Sequence, residues 1–336
     1  MIITRTPFRI SFFGGGSDYQ PFFNEHGGSV LSTTFDKYCY TTVRKCPPFF
    51  DYNSQIRYAK TEYIVSTDDI EHPLVRNCML HLNAHNLNVA YDADLPARSG
   101  LGSSSSFAVG LLQALYSLRG QYVDKRQLAE DAIYVERVLC SESGGWQDQV
   151  AAAFGGFNRI DFYDDRFSLE PVIISKERKI ELENCLLMFF TGISRVSSTI
   201  AQSYVKSLHD IKSELLEIKS FVSEAEKILI STSDITDFGK LLDLSWKIKR
   251  GLTTKTSTSF VDDIYNAAIR EGAVGGKLLG AGGGGFILFF AKPEYHSAIK
   301  KVMKGLVFVP ISFENSGSRV LYYIPEDDYI KEGSIK

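Results

Sequence analysis

No stretch of this chain approaches the ~20 consecutive apolar residues that a membrane-spanning helix needs. The opening segment Met1-Ile2-Ile3-Thr4-Arg5-Thr6-Pro7 lacks the apolar core and cleavage site of a secretory signal. The five cysteines, at 39, 46, 78, 140 and 185, form no Cys-x-x-Cys pair and are odd in number. They read as reduced thiols rather than a disulfide framework, and no zinc site is expected. The net charge of −3 gives no general attraction to nucleic acid or anionic membranes, so any phosphate site must be local. Together these absences predict a cytoplasmic protein with neither nucleic acid nor membrane as partner.

What is present is ordinary in bulk, 44% apolar and 23% charged residues, and 336 residues predict two domains sharing a cleft. Alternating or β-branched segments predict strands over 2–13, 29–44 and 87–95, and further strands over 157–162 and 167–174. Helical spacing predicts helices over 72–85, 104–118, 125–139 and 146–154. A domain boundary is expected near 175, dividing the chain into 1–175 and 176–336. The second half predicts a buried strand over 185–190, helices over 197–229, 236–249 and 261–271, and strands over 285–291, 306–311 and 320–324. Ile211, Leu215, Ile218, Val222, Ala225 and Leu229 make one apolar helical stripe, which reads as core. Strands and helices mix without strict alternation, which favours an α+β fold.

The segment Pro96-Ala97-Arg98-Ser99-Gly100-Leu101-Gly102-Ser103-Ser104-Ser105-Ser106 runs straight into an apolar helical pattern. Glycines let the backbone approach an anion closely, and a helix start offers unpaired N–H groups with a partial positive charge. Serine hydroxyls add donors, and one could ligate Mg²⁺. The segment is not a Walker loop, because no Lys-Ser or Lys-Thr follows the second glycine. Taken alone, such a loop is more often a plain turn and helix cap.

Three other segments accompany it in order: Thr6-Pro7-Phe8-Arg9-Ile10-Ser11-Phe12-Phe13-Gly14-Gly15-Gly16-Ser17-Asp18, Ser143-Gly144-Gly145-Trp146-Gln147-Asp148-Gln149, and Lys277-Leu278-Leu279-Gly280-Ala281-Gly282-Gly283-Gly284-Gly285-Phe286. With these the chain resembles, over nearly its whole length, the GHMP kinases, the superfamily of galactokinase, homoserine kinase, mevalonate kinase and phosphomevalonate kinase. The resemblance implies a first domain like ribosomal protein S5 domain 2, a ferredoxin-like second domain, and ATP and Mg²⁺ as co-substrate and metal. It implies Asp148 and Arg9 as catalytic residues, the arginine stabilising charge on the transferring phosphoryl group. Arg98, Ser99, Gly100, Leu101, Gly102, Ser103, Ser104 and Ser105 would bind nucleotide, and Ser104 with Glu136 would hold the metal. Asp18, Gly15, Gly16 and Gly283 would face the acceptor. Read without the family, Asp148 is a helix-start residue, Arg9 a strand-surface cation and Glu136 a helix-surface carboxylate.

Gly15 and Gly16 replace the glutamate and histidine that hold galactose in galactokinases, which argues against that sugar. The first two motifs resemble most closely a branch whose members phosphorylate the anomeric hydroxyl of D-glycero-D-manno-heptose 7-phosphate. An L-fucose 1-kinase and an inactive sugar or nucleotide sensor remain as alternatives. A distal phosphate needs a cationic clamp, for which Lys247-Ile248-Lys249-Arg250, Arg195 and Lys277 are open choices. The glycines at 280, 282 and 285 also match a dinucleotide fingerprint, but Phe286-Ile287-Leu288-Phe289-Phe290 reads as a strand where a helix is required. His81 and His85 have zinc-pair spacing on an expected helix without the glutamate or third ligand of such a site, and read as structural.

Overall fold

A computed structural model describes residues 1–193, 208, 210–252, 256–280 and 282–326. The first half runs β1 (Ile2–Phe13), α1 (Gln20–His26), β2 (Gly28–Lys45), β3 (Ser54–Arg57), β4 (Thr61–Ile64), α2 (Pro73–His81), β5 (Leu87–Ala93), α3 (Ser103–Leu118), α4 (Lys125–Tyr134), α5 (Gln147–Phe154), β6 (Phe157–Tyr163) and β7 (Arg166–Pro171). The second half runs α6 (Lys176–Asn184), β8 (Leu186–Phe190), α7 (Lys212–Ile230), α8 (Thr236–Gly251), α9 (Ser259–Arg270), β9 (Gly275–Leu278), β10 (Phe286–Phe290), α10 (His296–Val302), β11 (Val307–Val309), β12 (Phe313–Glu314) and β13 (Arg319–Tyr323). The architecture is α+β, as expected. Among the described residues no helix is long and apolar enough to cross a membrane.

Nine described strands form one sheet along the path β13-β1-β2-β5-β3-β4, with β12 and β6 also on β2 and β7 on β6. The pairs are antiparallel except β3 with β5. The second sheet is antiparallel in the order β11-β8-β10-β9. The division expected near 175 separates the chain but not the sheets, because β12 and β13 return to the first.

Alternation explains the second sheet's unbroken apolar strands. Leu186, Met188, Phe286, Leu288 and Phe290 join a cluster with Phe8, Ile10, Phe12 and Phe13 of β1, whereas Leu187, Phe189, Ile287 and Phe289 face Trp246 and helix α9. A strand covered on both faces has no polar side to present. Phe238 of α8 fastens β1 to the second sheet, with T-shaped contacts to Phe12 and Phe13 at 5.4 and 5.1 Å and a contact to Phe290 at 6.3 Å. All six residues of the predicted apolar stripe are buried, as its spacing required.

Three local differences bear on the site. The helix expected over 125–139 changes to a π-helix over Val135–Leu139, closed by the Cys140 N–H on the Val135 carbonyl at 2.8 Å. The helix expected over 72–85 ends at His81, since Asn83 and Asn86 adopt positive φ. His81 therefore faces Asp131 at 3.6 Å while His85 bonds Thr67 and Asn83, and the two rings share no ligand site. The helix expected from Ser197 begins outside the described residues, as does Arg195.

Candidate active site

The C-terminal end of β1, the start of α3, the start of α5 and the end of α8 converge on a cavity of about 820 Å³. Arg9 crosses its floor. Its Nε and Nη2 donate to Asp148 Oδ1 and Oδ2 at 2.8 and 2.9 Å, and its Nη1 donates to the Gly100 carbonyl at 2.7 Å. This two-pronged pairing fixes both position and orientation of the carboxylate. The backbone joins in, since the Arg9 N–H donates to the Leu101 carbonyl at 3.2 Å. Asp148 stands in the first turn of α5, where the helix dipole favours an anion.

Asp18 lies on the same wall and is buried. It accepts from the Gly16 N–H at 2.9 Å, and the Trp146 N–H bonds its backbone carbonyl at 3.1 Å. Burial pushes its carboxyl up from the ordinary value, and the charge of Asp148 adds to that. Gly145 is required beside it: a Cβ there would come within 1.7 Å of Asp18 Oδ2.

The phosphate-type loop adjoins this pair, a Cβ on Gly102 falling 3.2 Å from Asp148 Oδ2. Gly102, at φ 75°, caps α3, and Arg98, Gly100, Gly102, Ser103, Ser104 and Ser105 line the cavity. Ser99 and Leu101 do not: the Ser99 hydroxyl bonds the Pro96 carbonyl at 2.6 Å, and Leu101 is packed into the core behind the loop. Gly283 also stands behind the wall, its N–H donating to the Thr256 carbonyl at 3.0 Å. Among the described residues of the glycine motif, Lys277 and Gly280 line the cavity, and Gly280 meets Gly100. Both have positive φ, and a Cβ on Gly280 would lie 2.5 Å from the Gly100 Cα.

Glu136 sits in the π-helix, buried yet on the cavity lining. The serine that bonds it is Ser105, not Ser104, with Oγ to Oε2 at 2.7 Å; Gln149 also donates to Oε2. Among the described residues Glu136 Oε1 has no hydrogen-bond partner, and Ser104 is exposed at the mouth of the loop. A carboxylate oxygen beside serine hydroxyls is a hard-oxygen donor set that fits Mg²⁺.

Sequence reasoning missed one wall. Tyr58, His72, Leu74, Tyr91 and Phe107 line the cavity beyond the phosphate loop. Their rings touch in series, Tyr58 to His72 at 4.8 Å, His72 to Phe107 at 5.8 Å and Tyr91 to Phe107 at 4.5 Å. No local pattern marks them, because they come from four separate elements. Of the open basic cluster, Lys249 and Lys277 line the cavity, whereas Lys247 pairs with Asp243 at 2.7 Å and Arg250 with Asp262 at 3.7 Å.

Residues 73–156 match the GHMP kinases N terminal domain and residues 222–304 the GHMP kinases C terminal domain. The chain is 30% identical to D-glycero-alpha-D-manno-heptose 7-phosphate kinase of Campylobacter jejuni over 94% of this chain and 97% of that one. It is 25% identical to the L-fucokinase/L-fucose-1-P guanylyltransferase of Bacteroides fragilis, over 89% of this chain but 35% of that longer protein. Among solved structures, a D-glycero-D-manno-heptose 1-phosphate kinase from Bacteroides thetaiotaomicron superposes with a TM-score of 0.78 at 24% identity, covering 96% of this chain and 100% of that one. Two domain matches in order and a full-length relative at 30% identity make this chain a GHMP kinase, an enzyme that transfers a phosphoryl group to an alcohol acceptor.

Proposed function

We propose that the protein is a sugar kinase that transfers the γ-phosphoryl group of ATP to the anomeric C1 hydroxyl of D-glycero-D-manno-heptose 7-phosphate, giving the 1,7-bisphosphate for nucleotide-activated heptose synthesis. The observation that carries this reading is the Arg9–Asp148 pair, set between a helix N-terminus suited to phosphates and the buried carboxyl of Asp18. The full-length likeness to the Campylobacter jejuni heptose kinase supports the choice of sugar.

In this reading both halves of the chain, 1–175 and 176–336, contribute to the cleft. ATP lays its base against the Tyr58, Leu74, Tyr91 and Phe107 wall, where flat apolar rings are matched by ring faces. Its phosphates meet Arg98, the Gly100 and Gly102 backbone, and the hydroxyls of Ser103, Ser104 and Ser105. Glu136 with Ser104 or Ser105 would hold Mg²⁺, which neutralises charge on the β and γ phosphates. Asp18 accepts from sugar hydroxyls, and Gly15 and Gly16 leave room for the ring. Asp148 accepts or orients the proton of the attacking hydroxyl, while Arg9 keeps the carboxylate aimed and stabilises charge on the group in transfer.

The test is ADP release with D-glycero-D-manno-heptose 7-phosphate, L-fucose, D-mannose and D-galactose offered separately, with Asp148→Asn as the blank. The expected result is turnover with the heptose phosphate, a 1,7-bisphosphate product, and a loss of about 10²–10⁴ in kcat for Asp148→Asn with ATP binding retained. Turnover with L-fucose in preference would move the protein to the fucokinase side, in keeping with its Bacteroides fragilis relative. Full turnover by Asp148→Asn would remove that residue from the mechanism.

A further inference from the structure

Two lysines enter the cavity from the second half of the chain, and neither is accounted for by the phosphoryl transfer itself. Lys249 ends α8 and donates to the Gly280 carbonyl at 3.0 Å; Lys277, on β9, donates to the Phe12 carbonyl at 2.6 Å. Both are more than nine-tenths buried, and among the described residues neither is in a salt bridge. An ammonium has three protons, so one backbone bond leaves each lysine with donors to spare. Two such charges in a low-dielectric pocket repel one another and Arg9, and burial pushes the basicity of both down.

The carboxylates nearby do not cancel them. Asp148 is taken up by Arg9 on both oxygens. Asp18, whose charge Lys249 feels most strongly, is itself biased toward its neutral form by burial. The acceptor end of the cavity therefore gathers three basic groups, Arg9, Lys249 and Lys277, against two acidic ones, Asp18 and Asp148. It also holds an unsatisfied donor. The Ser11 hydroxyl is buried, lines the cavity and has no hydrogen-bond partner among the described residues. Its location is fixed by Gly15: a Cβ added there would stand 3.3 Å from Ser11 Oγ and 3.6 Å from Lys249 Nζ. The spot is thus beside Gly15 and near Asp18, with Gly280 standing between Lys249 and Gly100 of the phosphate-type loop.

Resting on the sugar kinase reading, we infer that Lys249, Lys277 and Ser11 form a subsite for a phosphate monoester carried by the acceptor, separate from the site of the ATP phosphates. A phosphate monoester is close to a dianion at neutral pH, its second pKa being about 6. It can accept from both ammonium groups and the hydroxyl at once, which satisfies each of the groups left over. Lys247 and Arg250, the cluster's other cations, point away into their own ion pairs.

The experiment measures kcat/KM for one heptose with and without its terminal phosphate, in the wild type, Lys249→Gln and Ser11→Ala. The serine variant removes a hydroxyl that holds nothing in the fold, so it stays informative if the lysine variant misfolds. Expected is a wild-type preference for the phosphorylated sugar that falls about 10- to 100-fold in Lys249→Gln and by a smaller factor in Ser11→Ala. A wild type that favours the unphosphorylated sugar overturns the subsite. So does a preference kept in both variants while kcat falls alike with both acceptors, which would assign the lysines to the transferring group. If no acceptor yields ADP, the sugar kinase reading fails on its own. The subsite is then decided by calorimetric titration with inorganic phosphate in the presence of saturating ATP: heat from wild type but not Lys249→Gln upholds it, and equal heats overturn it.

Discussion

Burial holds the Lys249 ammonium down to about 8 against an ordinary 10.5, with Asp18 and Asp148 opposing that shift and Arg9 adding to it. The unfolded chain then binds this proton more tightly than the folded one, so the residue destabilises the fold below about pH 8. That penalty shrinks as pH rises from 8 toward 10.5. Lys249→Met should therefore stabilise the protein by about 1–3 kcal/mol at pH 7, with the gain fading toward pH 10.5. Denaturant midpoints at the two pH values check this, and a destabilised variant would mean that its bond to the Gly280 carbonyl outweighs the buried charge. Gly145→Ala drives a methyl group into Asp18 Oδ2 and should raise KM for the acceptor about tenfold or more while ATP affinity is kept, as acceptor and ATP titrations would read. At this scale the site was legible where a residue stood inside a glycine-marked segment, as Arg9, Asp18 and Asp148 do. It was not legible where neighbours compete. Four consecutive serines differ by about 100° each around α3, so which one meets Glu136 depends on the helix's rotational phase. Lys247 and Lys249 are separated by the same uncertainty on α8.

Among the elements, α8 contributes to stability and to the site at once. Its Phe238 end binds β1 to the second sheet and its Lys249 end reaches the cavity. Phe238→Ala removes a buried ring with three aromatic neighbours and should cost about 3–5 kcal/mol, read as a fall in denaturant midpoint. A cost under about 1 kcal/mol would mean that the two sheets close over the gap. Long periodic elements such as β1, α3 and α7 were readable because each offers several turns or pleats of consistent pattern. Short ones were not. Strands β3 and β4 have four residues each, and α1 has seven with Pro21 at its start, too few for a period to declare itself. The cost of missing that hairpin was Tyr58, which lies between its strands and carries one end of the aromatic wall. The π-helix was equally hidden, since side-chain spacing over five residues cannot distinguish a widened turn from an α-helical one.

For the whole molecule, the informative event is the return of the chain to its first sheet. Strand β13 pairs with Ile2 to Arg5 of β1, and β12 pairs with Thr34 and Phe35 of β2. The link between them packs on Gly155, where a Cβ would lie 2.1 Å from the Gly317 nitrogen, and Ser318 shares a 2.7 Å hydrogen bond with Thr6. Ending the chain after Ile311 should therefore expose the edge of β1 and lower thermal stability well beyond a surface change. Retention of Tm within about 2 °C would show these strands to be dispensable. Sequence alternation marked 320–324 as a strand but could not name its partner, because pairing across more than 300 residues leaves no local trace. The same return has a consequence in time. At roughly 5–20 residues per second of synthesis, β1 precedes β13 and waits on the order of tens of seconds for the strand that covers its edge. The newborn chain must be kept from pairing that edge with its neighbours on the polysome, and production of intact enzyme should suffer first wherever translation stalls ahead of β12 and β13.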